Sequence, residues 1–422
     1  MLTNKLYVMK VLWFSNCVIG GRESTGSGSW LFGMKDIISN HVELYNITKS
    51  NVSEITLNEY KDIIEYIIPN YKLHNGLPNK ANIKKIQQIV NDINPDVIQI
   101  WGLEMYWGLL FTRNLIKGNY IIEVQGLLSS CYNVYYGGLT PMEIIKCFNI
   151  KEILKLNSYL PFKKINYLKG SKTEHEIFSN SKFISTQSEW TRYQIKFKTN
   201  KGVYLFKTYR PIRKIFYSSE KWNKIRNSKS IVIFSSISYL EPFKGFHILL
   251  KALNILKSKY NNIIINIAGI NIEQIVFYKK GGYAKYLESL IKKYELKNNI
   301  KFVGNLDEVE ICEQLLKSDV YVNPSFVESY SAASAEALYL GVPSVLSYAG
   351  AMPNFSNIKE VALYYSPLDF IDLASKIDNL IINDELSKLL SNNSISIMKY
   401  FCDQETIKQT QLSIYKKVIN HS

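Results

Sequence analysis

The sequence predicts an α/β protein made of two doubly wound parallel-sheet domains. Three observations carry that prediction. Short apolar strand patterns alternate with helical patterns through both halves of the chain. Turns marked by Gly, Ser or Pro punctuate them. The alternation breaks once, over residues 208–230, and then restarts. With 422 residues, 46% hydrophobic and 21% charged, the chain is long enough for two cores.

In the first half, "KLYVMKVLWFS" reads as a strand and "GGRESTGSGSW" as a loop, with a helix from Leu31. "KANIKKIQQIVNDI" (80–93) sets Ile83, Ile86, Val90 and Ile93 on one helical stripe. "NPDVIQIWG" (94–102), "NYIIEVQG" (119–126) and "SKFISTQ" (181–187) are further strands. "TYRPIRKIFYSSEKWNKIRNSKS" is charged, carries a proline and lacks a core period, so it reads as a connection. After it, "SIVIFSSIS", "NIIINIAG", "IKFVGNL", "VYVNPS" and "SVLSYAG" are strands with helices between them. The predicted boundaries are a first domain over 1–210, a linker over 211–229, a second domain over 230–400 and a terminal helical segment over 401–422.

Composition narrows the function classes. No apolar run reaches the roughly 18 residues needed to span a bilayer. The N-terminus reads as a strand, not a signal peptide. Five cysteines (17, 131, 147, 312 and 402) without metal-ligand spacing read as reduced thiols, which points to the cytoplasm. Net charge is +15, and residues 146–214 hold sixteen Lys/Arg against four Glu and no Asp. Such a stretch either attracts anions, an acidic lipid face among them, or is a solvated Lys-rich surface. No nucleic-acid motif accompanies it, and nucleic acid is not an expected partner.

In "NPSFVESYSAASAEALYLGVP" a strand stops at Pro324 and a helix starts near Ser331, with Ser329 and Ser331 as candidate N-caps. Gly341 and Pro343 close that helix. Glu328 then precedes the helix and Glu336 lies in its second turn, on the order of 10 Å away. Between them lie unpaired N–H groups and the positive end of the helix dipole, which suit an anion. A ligand with hydroxyls at both ends and a diphosphate between them matches this spacing.

The run "NPSFVESYSAASAEALYLGVPSVLSYAG" resembles the glutamate–seven–glutamate signature of retaining GT-B-fold glycosyltransferases of the family 4 type (glycosyl transferases group 1). "EPFKGFHILLKAL" is similar to their Lys-Gly element, and "INIAG" and "IKFVGNLDEVEICEQLLKSDVYVNPS" follow in the usual order. "GSGSWL", "PDVIQIWGLE", "IIEVQGLL", "SKFISTQSEW" and "IRKIFY" resemble a bacterial branch associated with surface polysaccharides. The resemblance implies a GT-B fold, two Rossmann-like domains facing a central cleft, with residues 401–422 crossing back to the first domain. It implies transfer of a sugar from a nucleoside-diphosphate sugar (UDP- or GDP-linked) to a hydroxyl of a glycan or lipid-linked acceptor, with retention.

By the same resemblance, Glu328 would face the donor sugar and Lys244 would neutralise the diphosphate. Gly245 would let backbone approach the ligand, as would the backbone of Ser329, Tyr330 and Ser331. Glu336 would bind the ribose hydroxyls, and Gly26 and Gly28 would form the opposite wall. The acceptor is expected around 26–30, 101–107 and 125–138, with Trp101, Glu104 and Gln125 as candidates. No cofactor and no metal are expected, since no DxD-like pair or His/carboxylate set is visible. Peripheral contact with the anionic inner face of the plasma membrane is an expectation from charge alone.

Two departures stand out. Ser238 and Tyr239 occupy positions where many relatives carry an Arg that shares the diphosphate, and Gln99 and Trp101 stand where the family often has His. The missing Arg keeps a second reading open, a catalytically weakened nucleotide-sugar-binding or scaffold protein. His247 is expected in the exposed first turn of its helix, without a catalytic part.

Overall fold

A computed structural model describes residues 8–21, 28–149, 152, 159–223, 230–272, 274–275 and 281–421. The first sheet has eight strands: β1 (Lys10–Phe14), β2 (Glu43–Ser50), β3 (Thr56–Tyr60), β4 (Ile63–Pro69), β5 (Val97–Trp101), β6 (Tyr120–Glu123), β7 (Phe183–Thr186) and β8 (Tyr204–Lys207). Their order is β3-β4-β2-β1-β5-β6-β7-β8, parallel except for the β3–β4 pair. The second sheet is parallel throughout: β9 (Ile231–Ile237), β10 (Ile263–Gly269), β11 (Ile300–Gly304), β12 (Val320–Asn323), β13 (Ser344–Ser347) and β14 (Leu363–Tyr365). Their order is β11-β10-β9-β12-β13-β14.

The local reasons are visible in the sequence. In β1, Val11 to Phe14 are buried without alternation, as in a strand covered on both faces. Pairs such as Val11 with Val97 and Phe14 with Ile47 fix its place between β5 and β2. Helix α2 (Lys80–Ile93; α1 is Ser29–Ile38) buries the predicted stripe Ile83, Ile86, Val90 and Ile93. Asn79 caps its start by accepting the Asn82 N–H, and Asn94 in the left-handed region ends it.

In both sheets the strand order reverses at one point, at β1 in the first and β9 in the second. Loops leaving neighbouring strands at such a point diverge and leave a crevice beyond their carboxyl ends. Asn16, Cys17 and Gly28, which follow β1, and Ser238, Tyr239 and Lys244, which follow β9, line one side or the other of the cleft described below.

The two halves are joined by more than the linker. Tyr135, Leu139, Cys147 and Leu160 pack into the core of the second sheet's helices, with Phe243, Leu249 and Tyr283. The Tyr135 hydroxyl donates to Glu241 at 2.7 Å, and Lys163 reaches the same carboxylate at 2.9 Å. His247 is part of this seam: it is fully buried rather than exposed. Its ring faces the Gly137 carbonyl through Nε2 (2.9 Å) and the Tyr283 hydroxyl through Nδ1 (2.8 Å). A carbonyl only accepts, so Nε2 carries the proton and Nδ1 accepts from Tyr283. Burial lowers the imidazole pKa to about 4, consistent with a neutral ring. The apolar face of the first half, not the helix start, decides its burial.

The helix over Gln404–Asn420 returns to the first sheet. Ile407, Ile414, Tyr415 and Val418 pack with Val11, Trp13 and Val97. Trp13 Nε1 donates to the Tyr415 hydroxyl (3.1 Å), and Gln411 donates to Gln99 (3.1 Å). Gln99, at the position where His is common in the resembling family, thus anchors this helix.

Candidate active site

Two adjoining cavities open between the sheets. One, of about 610 Å³, is lined among others by Gly28, Trp30, Glu104, Gln125, Arg210, Ser238, Tyr239, Lys244, Glu328 and Ser329. The other, of about 740 Å³, is lined among others by Gly28, Trp30, Arg213, Ser238, Gly269, Asp307, Ala332, Ala333 and Glu336. Gly28, Trp30 and Ser238 front both. The cleft therefore has two chambers and a waist.

Lys244 and Glu328 meet in the first chamber, with Nζ 2.7 Å from Oε1. Backbone shape brings them together. Gly245 has φ +72, and a Cβ there would lie 2.0 Å from the Pro324 carbonyl oxygen. Only glycine lets these two loops touch. The missing side chain of Gly245 admits the Pro324 backbone. The Phe326 N–H donates to the Phe243 carbonyl at 2.7 Å and pins the loops. Gly350, φ +59, packs as closely against the Glu328 backbone, and Ala351 N–H donates to the Glu328 carbonyl (2.7 Å). Burial pulls the Lys244 ammonium down, but Glu328 outweighs it and holds the pKa above the usual lysine value.

Helix α12 covers Ala332–Leu340, counting every described helix in order. Ser331 caps it, with φ +69 and its Oγ accepting from the Ser334 N–H (3.3 Å) and the Asn323 amide (3.0 Å). A non-glycine residue in that region is strained, and here two hydrogen bonds hold it. The first residues of α12, Ala332 and Ala333, open onto the second chamber. Glu336, 3% exposed, takes a bidentate pair from Arg213, Nε at 2.7 Å and Nη2 at 2.6 Å. Burial pulls Arg213 down while Glu336 more than offsets it, so the guanidinium pKa is raised.

The remaining expected residues separate. Ser329 turns its carbonyl away from the chamber to accept from Ser188 (2.8 Å) and Thr191 (3.2 Å) of the first half. The Tyr330 ring packs edge-on against Phe355, 5.6 Å between centroids. Trp101 does not line the cleft: at 2% exposure it is core, edge-on to Trp13 and Trp30, and Trp30, itself largely buried, is the ring that lines the cavity beside it. All five residues of β5 are buried, as in a strand covered on both faces, and Trp101 is the last of them. Glu104 and Gln125 do line the first chamber. Gly26 lies outside the described residues. Among the described residues no group of three His, Cys, Asp or Glu is placed to hold a metal ion, and no helix is long and apolar enough to cross a membrane.

Glu104 is exposed to solvent through the chamber, and its carboxylate lies in a crowded pocket against Gly102 and Gly126. Burial raises its carboxyl pKa, partly offset by the backbone N–H groups of Glu104 and Leu103 and by Arg210. A carboxyl raised in the folded state brings no penalty at pH values where both states are protonated. The penalty grows with pH and is complete above the folded value. Because water in the chamber screens the carboxylate, Glu104→Gln is expected to melt only slightly above the wild type at pH 8, with the gap closing below about pH 4.3, the ordinary glutamate value. Melting curves across pH 3.5–8 check this.

Sequence reading missed Arg210 and Arg213, both buried at 8–9% exposure in the stretch that reads as a connection. The signal was the spacing "RPIR" directly after a strand pattern, with Phe216 buried three residues on. The basic stretch is not one solvated face either, since Lys163 and Lys198 also hold buried or half-buried carboxylates.

Residues 218–396 match the family model described as Glycosyl transferases group 1. Over 209 residues the chain is 28% identical to Protein CapJ of Staphylococcus aureus, covering 48% of this chain and 49% of that protein. It is 26% identical over 210 residues to an uncharacterized glycosyltransferase of Haemophilus influenzae, 50% of this chain and 54% of the other. The chain thus spans about half the length of these curated relatives. Sucrose-phosphate synthase from Thermosynechococcus elongatus superposes with a TM-score of 0.72 at 13% identity, covering 98% of this chain and 100% of that one. Anabaena HepE in complex with UDP and glucose gives 0.64 at 15%, covering 96% and 98%. The chain has the GT-B fold, and its match to the group 1 glycosyl transferase model lies in its second half.

Proposed function

We propose that this protein is a retaining glycosyltransferase that moves a sugar from a UDP- or GDP-sugar to a hydroxyl of a glycan or lipid-linked acceptor. One observation carries the reading: a two-chambered cleft with a Lys–Glu pair in one chamber, and a fixed glutamate and a helix start in the other. The nucleoside would lie in the chamber of Glu336, whose carboxylate would take the ribose hydroxyls. The sugar would lie beside Glu328, with the diphosphate at the waist near Lys244. HepE, of the same fold, holds UDP and glucose, which supports a donor of this class.

In this reading the residues contribute positioning and charge stabilisation. Lys244 would stabilise the negative charge gathering on the leaving diphosphate. That diphosphate, on the same face as the acceptor hydroxyl, would take its proton. Glu104 and Gln125 would hold the acceptor. A role in bacterial surface polysaccharide synthesis, at the anionic inner membrane face, follows from the sequence resemblance and the basic stretch.

A thermal-shift screen with nucleoside diphosphates and their sugars tests the donor. One base should stand out, with about 2.7 kcal/mol of stabilisation at a hundred times Kd. NMR of the product anomer with the stabilising donor should show retention. Activity should persist in EDTA; its loss, with rescue by a divalent cation, would remove the proposed metal independence. Donor binding without transfer to any acceptor would favour the scaffold reading that the residues at 238 and 239 leave open.

A further inference from the structure

We propose that Arg210 is a second anion-binding cation of the cleft and that its partner is a phosphoryl oxyanion of a bound substrate. The cation is read from the cavity itself; only the choice of a nucleotide or lipid-borne diphosphate as substrate rests on the glycosyltransferase reading.

Arg210 is 8% exposed and lines the chamber of Lys244 and Glu328. Its guanidinium lies 4.1 Å from the centre of the Trp30 ring and 5.5 Å from that of Tyr330. Nε and Nη2 are buried and have no hydrogen-bond partner among the described residues. These two nitrogens form one edge of the guanidinium, the fork whose parallel N–H groups match two oxygens of a phosphate or carboxylate. Arg213, three residues on, uses that same edge on Glu336. One arginine of the pair is saturated inside the protein and the other is not.

The nearby carboxylates do not satisfy it. Glu123 accepts from Ser185, Gln187 and Thr208, and makes no ion pair with Arg210. Glu104 shares the chamber and acts on Arg210 only through space. Burial lowers the Arg210 pKa to about 10, which leaves it charged at neutral pH. A buried charge without a partner is a cost to the fold, and an incoming anion removes it.

Position fits the same answer. Trp30, the platform under Arg210, fronts both chambers. Lys244 is already matched by Glu328, so among the described residues lining the first chamber Arg210 is the cation without an ion-pair partner. Ser238 and Tyr239 face it in that chamber, at the positions that lack the expected Arg. The missing charge is supplied from the strap that joins the two halves.

The test is calorimetric titration of wild type, Arg210→Met and Arg210→Lys with four probes: inorganic pyrophosphate, UDP, GDP and geranyl diphosphate. Uridine and guanosine serve as phosphate-free controls. Arg210→Met should bind pyrophosphate and one of the diphosphate probes at least tenfold more weakly, with nucleoside binding unchanged. Arg210→Lys, which keeps the charge and loses the fork, should recover part of that loss. Without ligand, Arg210→Met should melt no lower than the wild type, because it removes an unmatched charge. Alongside the pyrophosphate loss, weaker binding of UDP or GDP assigns the oxyanion to the donor, and weaker binding of geranyl diphosphate assigns it to a lipid-borne acceptor; either supports the proposal. Equal affinities in wild type and Arg210→Met for all four probes overturn it, as does a lower Tm with those affinities unchanged. In that case a wild type that still prefers one nucleoside diphosphate leaves the glycosyltransferase reading intact. Conversely, Arg210-dependent pyrophosphate binding with no gain from any nucleoside would sustain this inference and remove the nucleotide donor.

Discussion

Replacing Lys244 by Met is expected to lower kcat/KM by roughly 10²–10³-fold, the range seen when one donor to a developing oxyanion is removed. The ammonium sits 2.7 Å from Glu328, and both side chains are 16% exposed. In the proposed reaction its charge matters most as the glycosidic bond breaks, so the loss should fall mainly on kcat. The same substitution strands Glu328 without its partner, costing stability on the order of 1–3 kcal/mol. A simple loss of activity would not separate the two effects. Lys244→Met combined with Glu328→Gln removes both charges, and should recover most of the stability and none of the turnover. The pH dependence has a definite sign. With the lysine pKa raised in the fold, the pair's contribution is complete below the unfolded value, about 10.4, and is lost as pH rises through the folded one. Thermal melts and steady-state rates on the four proteins of the cycle measure both quantities. Turnover within threefold of wild type in Lys244→Met would take Lys244 out of the chemistry.

How legible this site was in the sequence depended on where each constraint came from. Helix α2 declared itself by a periodic apolar stripe and a cap, both local signals. Glu328 and Glu336 were placed by a strand, a cap and a Gly-Pro terminator, again within twenty residues. β2 and β4 escape the sequence reading because buried polar residues break their alternation, Asn46 and Thr48 in β2 and Glu65 in β4, while β3, at the sheet edge, buries no residue fully. Glu65 is held by the Asn46 amide and by the N–H groups of Ile19 and Gly20, partners far along the chain. His247 and Trp101 were misjudged for the same reason: the surfaces that cover them belong to other elements, Gly137 and Tyr283 in one case, Trp13 and Trp30 in the other. Charge misled most at 208–214. An arginine looks solvated in a sequence, and only the fold shows that Arg213 is matched by Glu336, 123 residues away. The fold class rested on local periodicity; the inner wall of the cleft rested on pairings that no periodicity records.

That pairing makes Arg213→Met the substitution with the largest expected effect on stability. Glu336 is 3% exposed and both of its oxygens take N–H groups from Arg213. Removing one member of a buried pair costs roughly 3–5 kcal/mol, because the other charge stays behind without compensation. In a domain of this size each kcal/mol moves Tm by about 2–4 °C, so a fall of about 6–20 °C is expected. Arg213→Met with Glu336→Gln should regain most of it, since no unmatched charge then remains. Ligand affinity should behave differently. If Glu336 takes the ribose hydroxyls, Arg213 acts through it, holding the carboxylate in one orientation at the floor of its chamber. The double variant would then be stable yet bind its nucleoside diphosphate at least tenfold more weakly, while pyrophosphate, which carries no ribose, binds as before. Arg213→Lys keeps the charge but not the two-pronged contact, and should lie between wild type and Arg213→Met in both properties. Melting curves and calorimetric titrations separate the two roles. A double variant with full nucleotide affinity would leave this pair a structural strut alone and move the ribose elsewhere in the chamber.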